Sequence, residues 1–170
     1  IVCMHASNVF GCVFPIKEIG KLAHDNGIIF IVDAAQSAGV LDIDANRDNI
    51  DILCAPGHKG LYAPMGSGFI AVGDGITLDT IIEGGTGSMS MILSQPKDLP
   101  DRLESGTLNN VAICGLAAGI DFVNSKKIDN IYNHEKSLMS MVYKEMSKNE
   151  NVTLYTPDFK DAFSAPILSF

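Results

Sequence analysis

Residues 51–69 read DILCAPGHKGLYAPMGSGF, and within them Lys59 is the only lysine, with His58 beside it and Asp51 the only acid. An amine set among glycines at the end of an apolar run can act as a nucleophile. To do so it must spend time unprotonated, which needs partial desolvation or a neighbouring cation. A second polar group, Asp33, closes the apolar run GIIFIVD. A carboxylate there must be paired or hydrogen-bonded, or it takes up a proton. Gln36 follows it, and His5 and Asn8 follow the opening IVCM. Taken singly, Asp33 also reads as a turn or helix-capping residue and Lys59 as a surface lysine.

One chemistry uses a lysine and an acid that do not pair with each other. Pyridoxal phosphate is held by a lysine through a Schiff base while an aspartate keeps its pyridinium nitrogen protonated, so that the ring drains electrons from a substrate carbanion. The two residues grip opposite ends of the ring and therefore belong on separate elements. The phosphate needs donors, which glycine-loop amides, His58, Thr86 and Thr107 could supply. The segment GGTGS at 84–88 reads equally as a flexible turn. No G-K-[ST] follows the glycines, and no G-x-S-x-G is present, so phosphate-loop hydrolysis and a serine nucleophile elbow have no support.

The elements that must position these groups follow from hydrophobic pattern. Residues 1–4 read as the end of a buried strand and HASN as a turn. Pro15 suits the first position of a helix whose Ile16, Ile19, Leu22 and Ala23 share a face, and Gly27 suits its stop. GIIFIVD then reads as a central parallel strand covered on both faces, making a β-α-β unit. IDILCA and GFIAVG read as further strands. A helix is expected from Asn109, with Gly115, Ala118 and Gly119 as a small face, and another over about 127–148 with Ile128, Ile131, Leu138, Val142 and Met146 as its stripe. VTLY and APILSF read as strands of a different unit. Alternating strands and helices predict an open, mostly parallel three-layer α/β sheet, and ligands bind beyond the carboxyl ends of such strands. His5 and Asn8, Asp33 and Gln36, and His58 and Lys59 all follow strand ends.

The chain has 170 residues, 46% of them apolar and 19% charged, with a net charge of −8. That suits one sizeable globular core and excludes a basic nucleic-acid or membrane face. The apolar runs are too short to span a bilayer. No secretory leader is read at IVCMHASNVF, and both ends fall inside strand-like runs, as expected for the middle of a longer protein. Cys3, Cys12, Cys54 and Cys114 form no C-x-x-C pair and no zinc-ligand spacing, so reduced thiols in a cytoplasmic protein and no metal are expected. A dinucleotide-binding reading would want G-x-G-x-x-G after the first strand, and HASNVFG does not supply it.

The ordered motifs HASNVFG, VDAAQSAG, PGHKGLYAPMGSG and ESGTLNN resemble the class V aminotransferase superfamily, and within it the cysteine desulfurase-like group. The resemblance covers residues 1 to about 125 strongly and the rest weakly. It implies a pyridoxal 5'-phosphate enzyme of fold type I, a homodimer with a shared active site. It also implies an amino-acid substrate, with L-cysteine giving alanine and an enzyme persulfide, and a possible sulfur-acceptor protein. Lys59 matches the Schiff-base lysine, Asp33 the pyridinium partner and Gln36 the donor to the ring's phenolic oxygen. His58 matches a histidine near the phosphate, His5 and Asn8 the ends of the HxSN motif, and Thr107 a threonine reaching the neighbouring subunit's phosphate. By the same resemblance, 1–125 is part of a cofactor-binding large domain, 126–149 a connecting helix and 150–170 the start of a small α+β domain.

The pattern also departs from the family. Pro56 stands where Ser or Thr is common, Ala63 and Met65 where Gly and a polar residue are frequent, and Cys12 where Thr is common. The ring-stacking aromatic residue is expected upstream. The persulfide-forming cysteine and the substrate-carboxylate arginine are expected beyond Phe170, and neither Arg47 nor Arg102 matches that arginine. An aminotransferase, a selenocysteine lyase, a kynureninase-like hydrolase and a non-catalytic fragment that only binds or dimerises remain the alternatives.

Overall fold

The computed structural model of the chain describes residues 1–89, 91–156 and 164–170. Its elements run β1 (Val2–Met4), α1 (Ile16–Asp25), β2 (Ile31–Asp33), β3 (Ile52–Pro56), β4 (Gly68–Val72), α2 (Asn110–Lys126) and α3 (Ile128–Met146). The strands form one sheet in the order β1-β2-β3-β4, with β1, β2 and β3 parallel and β4 antiparallel to β3. This is the expected mostly parallel α/β sheet.

Register sorts the strand residues into two faces. Cys3, Val32, Leu53 and Ala71 lie abreast on one, and Met4, Asp33, Cys54 and Ile70 on the other. The first face packs on α1 in a core of Ile16, Ala23, Phe30, Val32 and Ile50, with Cys3, Ile19 and Leu53 against it. Phe30 and Val32 are fully buried, and Phe30→Ala there would cost about 3–5 kcal/mol. The second face is open: Met4 is 47% and Ile70 57% exposed. The expectation that GIIFIVD would be covered on both faces is not met among the described residues, where Leu99, Pro100, Leu103 and Glu104 line an open cleft with the second face.

Helix α1 begins at Ile16, with Pro15 at its cap, and ends before Gly27, which takes φ +64°. Leu22, placed on the buried stripe by spacing, is exposed, and Gly20 takes the buried position instead. A β-carbon on Gly20 would fall 2.0 Å from the Asp48 carbonyl oxygen, so only glycine lets the helix approach that loop. Asn109 caps α2 by accepting from the Ala112 amide at 3.2 Å. Gly115 and Gly119 pack against Pro64 and the Leu61 backbone, as their small size suggested, whereas Ala118 points to solvent. Of the α3 stripe only Ile131 is buried, and Leu138 and Val142 are exposed. VTLY and APILSF carry no strand pairing with each other beyond the Tyr155 amide donating to the Ser169 carbonyl at 2.9 Å; Ser164 bridges to Cys12 instead.

Candidate functional site

The loops that leave β2 and β3 are held together by glycine. In DAAQSAG, Gly39 takes φ +82°, and a β-carbon there would lie 2.2 Å from the Gly60 carbonyl oxygen. A β-carbon on Gly60 would lie 2.4 Å from the Ala38 carbonyl oxygen. The two backbones therefore touch, a contact only residues without side chains allow. The lysine loop is closed on itself by the Tyr62 amide donating to the Lys59 carbonyl at 2.9 Å, the Ala63 amide to Gly57 at 2.9 Å and the Gly57 amide to Ser67 at 2.8 Å. From behind, α2 buttresses it through Gly119, Leu116 and Leu61.

This contact brings Gln36 and Lys59 onto one cleft of about 220 Å³, which Ala35, Tyr62, Glu135, Pro166 and Ile167 also line. Asp33 lines a neighbouring cleft of about 680 Å³ on the open sheet face, with Cys54, Ile70, Leu103 and Glu104. Ala35 lines both. One Asp33 oxygen, Oδ1, accepts from the Ala35 amide at 2.8 Å, which fixes the carboxylate as the first residue of the turn. Its other oxygen has no donor among the described residues. Lys59 is exposed and makes no ion pair or hydrogen bond through Nζ among the described residues.

The remaining sequence candidates are placed differently. His58, Asn8 and Thr107 are exposed and line neither of these two clefts. His5 is 5% exposed, turned into the protein rather than onto either cleft. Its Nδ1 has no hydrogen-bond partner among the described residues. Burial lowers its pKa and nearby Asp48 partly opposes that. Asp48 is itself buried and takes a two-pronged contact from Arg47, Nε to Oδ1 and Nη2 to Oδ2, both at 2.8 Å. That contact holds its pKa below the usual carboxylate range despite burial. Cys54 lies abreast of Asp33, and burial, then the Asp33 charge, pushes its thiol up. A raised thiol has less thiolate to react with, in line with its place inside a strand.

Sequence reasoning missed Ala35, Tyr62 and Glu135. Ala35 had a signal, since it stands between Asp33 and Gln36. Tyr62 had none beyond its nearness to Lys59; the structure gives it φ +57° and an edge-on contact with Phe122 at 5.1 Å. Glu135 reaches the cleft from α3, a placement no local pattern encodes. Its pKa is raised, chiefly by burial. Among the described residues no group of three or more His, Cys, Asp or Glu could hold a metal ion, and no helix is long and apolar enough to cross a membrane.

A carboxylate with one free oxygen, an unpaired amine on the adjoining strand's loop, and a small residue between them could seat a flat heteroaromatic ring. The family profile "Aminotransferase class-V" matches residues 1–170. A probable cysteine desulfurase of Methanothermobacter thermautotrophicus is 33% identical over 160 residues, which is 91% of this chain and 40% of that protein. The apo structure of cysteine desulfurase from Thermococcus onnurineus NA1 superposes with a TM-score of 0.79 at 30% identity, covering 98% of this chain and 42% of that one. A structure of SspA in complex with cysteine superposes with a TM-score of 0.58 at 35% identity, over 71% of this chain and 32% of that one. The chain thus spans about two fifths of the length of the first two.

Proposed function

Because the chain belongs to the class V aminotransferase family, we propose that it is the cofactor-bearing part of a pyridoxal-phosphate enzyme whose reaction is cysteine desulfuration. In that reaction L-cysteine gives alanine, its carbon–sulfur bond breaks, and the sulfur joins an enzyme thiol as a persulfide. The observation that carries the reading is the placement of Gln36 with Lys59 on one cleft, Asp33 on the next, and Ala35 on both. When bound, the cofactor supplies an electron sink for negative charge at the substrate α-carbon.

The chain's own residues do the rest. Lys59 holds the cofactor covalently through Nζ and, when released, moves a proton at the α-carbon. The free oxygen of Asp33 holds the ring nitrogen's proton while its other oxygen stays on the Ala35 amide. Gln36 donates to the phenolic oxygen. By the family likeness His58 would serve the phosphate and Asn8 the cofactor and substrate, although neither lines these two clefts, while His5 is buried away from both and would act only from within the protein. Thr107, which is exposed, would serve the phosphate of a second copy in a homodimer, as the family likeness implies. By the family likeness the sulfur-accepting thiol belongs to a segment beyond Phe170, and burial, which raises the Cys3 and Cys54 thiols, disfavours those two for the role. A sulfur-acceptor protein would collect the product. All four cysteines are free, which supports a cytoplasmic location. Residues 1–125 form part of the cofactor domain, 126–149 the connecting helix and 150–170 the start of a second domain. Cysteine as substrate is supported by the relatives' activity and by SspA's complex with it.

The test is reduction with borohydride in the presence of pyridoxal phosphate, followed by peptide mapping of the whole protein that carries this segment. A dominant adduct at Lys59, lost in Lys59→Ala, is expected. Adducts scattered over surface lysines would overturn the reading.

A further inference from the structure

Two loops far from Lys59 in sequence are tied by one buried amide. Gln95 is 9% exposed. Its Oε1 accepts from the Gly84 amide at 3.0 Å, and its Nε2 donates to the carbonyls of Asp101 at 3.1 Å and Arg102 at 3.5 Å. The donors and acceptors around it allow only this orientation of the amide. Gly84 is also held on its other side, where its carbonyl accepts from the Gly106 amide at 2.8 Å. A β-carbon on Gly85 would lie 3.1 Å from the Gly106 α-carbon. Gly84, Gly85, Gly87 and Gly106 all take positive φ. The GGTGS loop and the ESGT turn therefore form one corner, and the Gln95 side chain spans the 11 residues from Gly84 to set where it sits. Ser88 donates to Asp101 at 2.9 Å, closing the same corner from outside.

We propose that Gln95 is a positioning residue for a phosphate-binding corner made by the backbone of 84–88 and the hydroxyl of Thr107. This rests on the reading that Thr107 reaches a cofactor phosphate. Gln95 does not touch the phosphate. It satisfies the Gly84 amide and two carbonyls inside the protein, so that the remaining glycine amides and the Thr107 hydroxyl face outward in a fixed arrangement. Without it the corner must reorganise before it can bind, and the cost falls on the phosphate alone.

The test compares pyridoxal phosphate with pyridoxal, which lacks the phosphate, in the whole protein stripped of cofactor. Both affinities are read by absorbance of the Lys59 adduct. In Gln95→Met, which keeps the shape and loses the hydrogen bonds, the phosphorylated ligand should weaken by about tenfold or more, the worth of one hydrogen bond to a charged group. Binding of pyridoxal should stay within about twofold of the parent. Gln95→Glu, which keeps the acceptor for Gly84 and turns an oxygen against the two carbonyls, should behave alike. In a Thr107→Val background the Gln95 substitutions should add little, because they act through the same contact. Equal weakening of both ligands, no weakening of either, or failure of both variants to fold would each reduce Gln95 to a structural role and overturn the proposal. If Thr107→Val leaves the preference for the phosphorylated ligand unchanged, the Thr107 reading fails and takes the proposal with it. If Thr107→Val removes that preference and the Gln95 variants keep it, only the positioning role is lost.

Discussion

Replacing Gly39 by alanine should damage the site through two separable effects. Gly39 has φ +82°, and an L side chain in that region costs about 1–2 kcal/mol. Its β-carbon would also fall 2.2 Å from the Gly60 carbonyl oxygen, so the backbones of the two loops must part by about 1 Å to reach ordinary contact. Forcing packed elements apart costs a further ~1–3 kcal/mol. Two other glycines isolate the parts. Gly75 has φ +80° with nothing within 4 Å of its β-carbon, so Gly75→Ala shows the dihedral cost alone. Gly60 has no positive φ but would place its β-carbon 2.4 Å from Ala38 O, so Gly60→Ala shows the contact cost alone. The expected order is Gly39→Ala at about 2–5 kcal/mol, Gly60→Ala at about 1–3 and Gly75→Ala at about 1–2. Urea unfolding of the cofactor-free protein measures this without ligand linkage. A displacement of about 1 Å between the loops should also slow the reaction about a hundredfold in Gly39→Ala and Gly60→Ala, but not in Gly75→Ala. If Gly39→Ala costs no more than Gly75→Ala, the two loops are not in backbone contact and the account of how Gln36 and Lys59 share a cleft is wrong.

Burial lowers the pKa of His5, so the unfolded chain binds its proton more tightly than the folded one. Its contribution to stability is whole above pH ~6.5 and is lost as pH falls toward the lowered folded value, by at most about 1.4 kcal/mol per pH unit. Urea midpoints between pH 7.5 and 5 should fall more steeply for the parent than for His5→Gln, and equal slopes would count against a neutral buried imidazole. Asn109→Ala removes the acceptor for the Ala112 amide and should cost about 0.5–2 kcal/mol in thermal unfolding, with Asn109→Asp restoring most of it. No loss would mean that the α2 cap does not form.

The strands and helices were legible because their patterns are local. The helix start at Asn109 and Gly27 as a stop were each written within a few residues, although that Asn109 caps the helix rather than begins it came from the structure. What the pattern could not carry is what covers each face. GIIFIVD is apolar on both sides, yet only Phe30 and Val32 find a core here. Leu22 fits the helical stripe of α1, but the loop carrying Asp48 approaches so closely that the buried position goes to Gly20. The site divides the same way. Lys59, Asp33 and Gln36 are marked by polarity at the ends of apolar runs. Glu135 and Gln95 look like ordinary helix and loop residues, and only tertiary placement brings one to the Lys59 cleft and the other between two glycine turns.

The separation of Asp33 from Lys59 follows from the chemistry proposed for them. Had they paired, each would have stabilised the other's charge: the amine would stay protonated and the carboxylate would have no reason to hold a ring proton. Instead Asp33 spends one oxygen on its own turn, and Lys59 meets no carboxylate among the described residues. Parallel strands make this arrangement natural, since β2 and β3 end side by side and their loops diverge over the same edge. The close contact of Gly39 with Gly60 limits that divergence, and Ala35, whose side chain is the smallest that still has a β-carbon, occupies the ground between the two clefts. A larger residue at 35 would fill the space that a ring must cross to reach both partners. Ala35→Leu should therefore abolish the Lys59 adduct while leaving β2 and β3 paired, and an undiminished adduct in that variant would mean that the ring does not pass between Asp33 and Lys59.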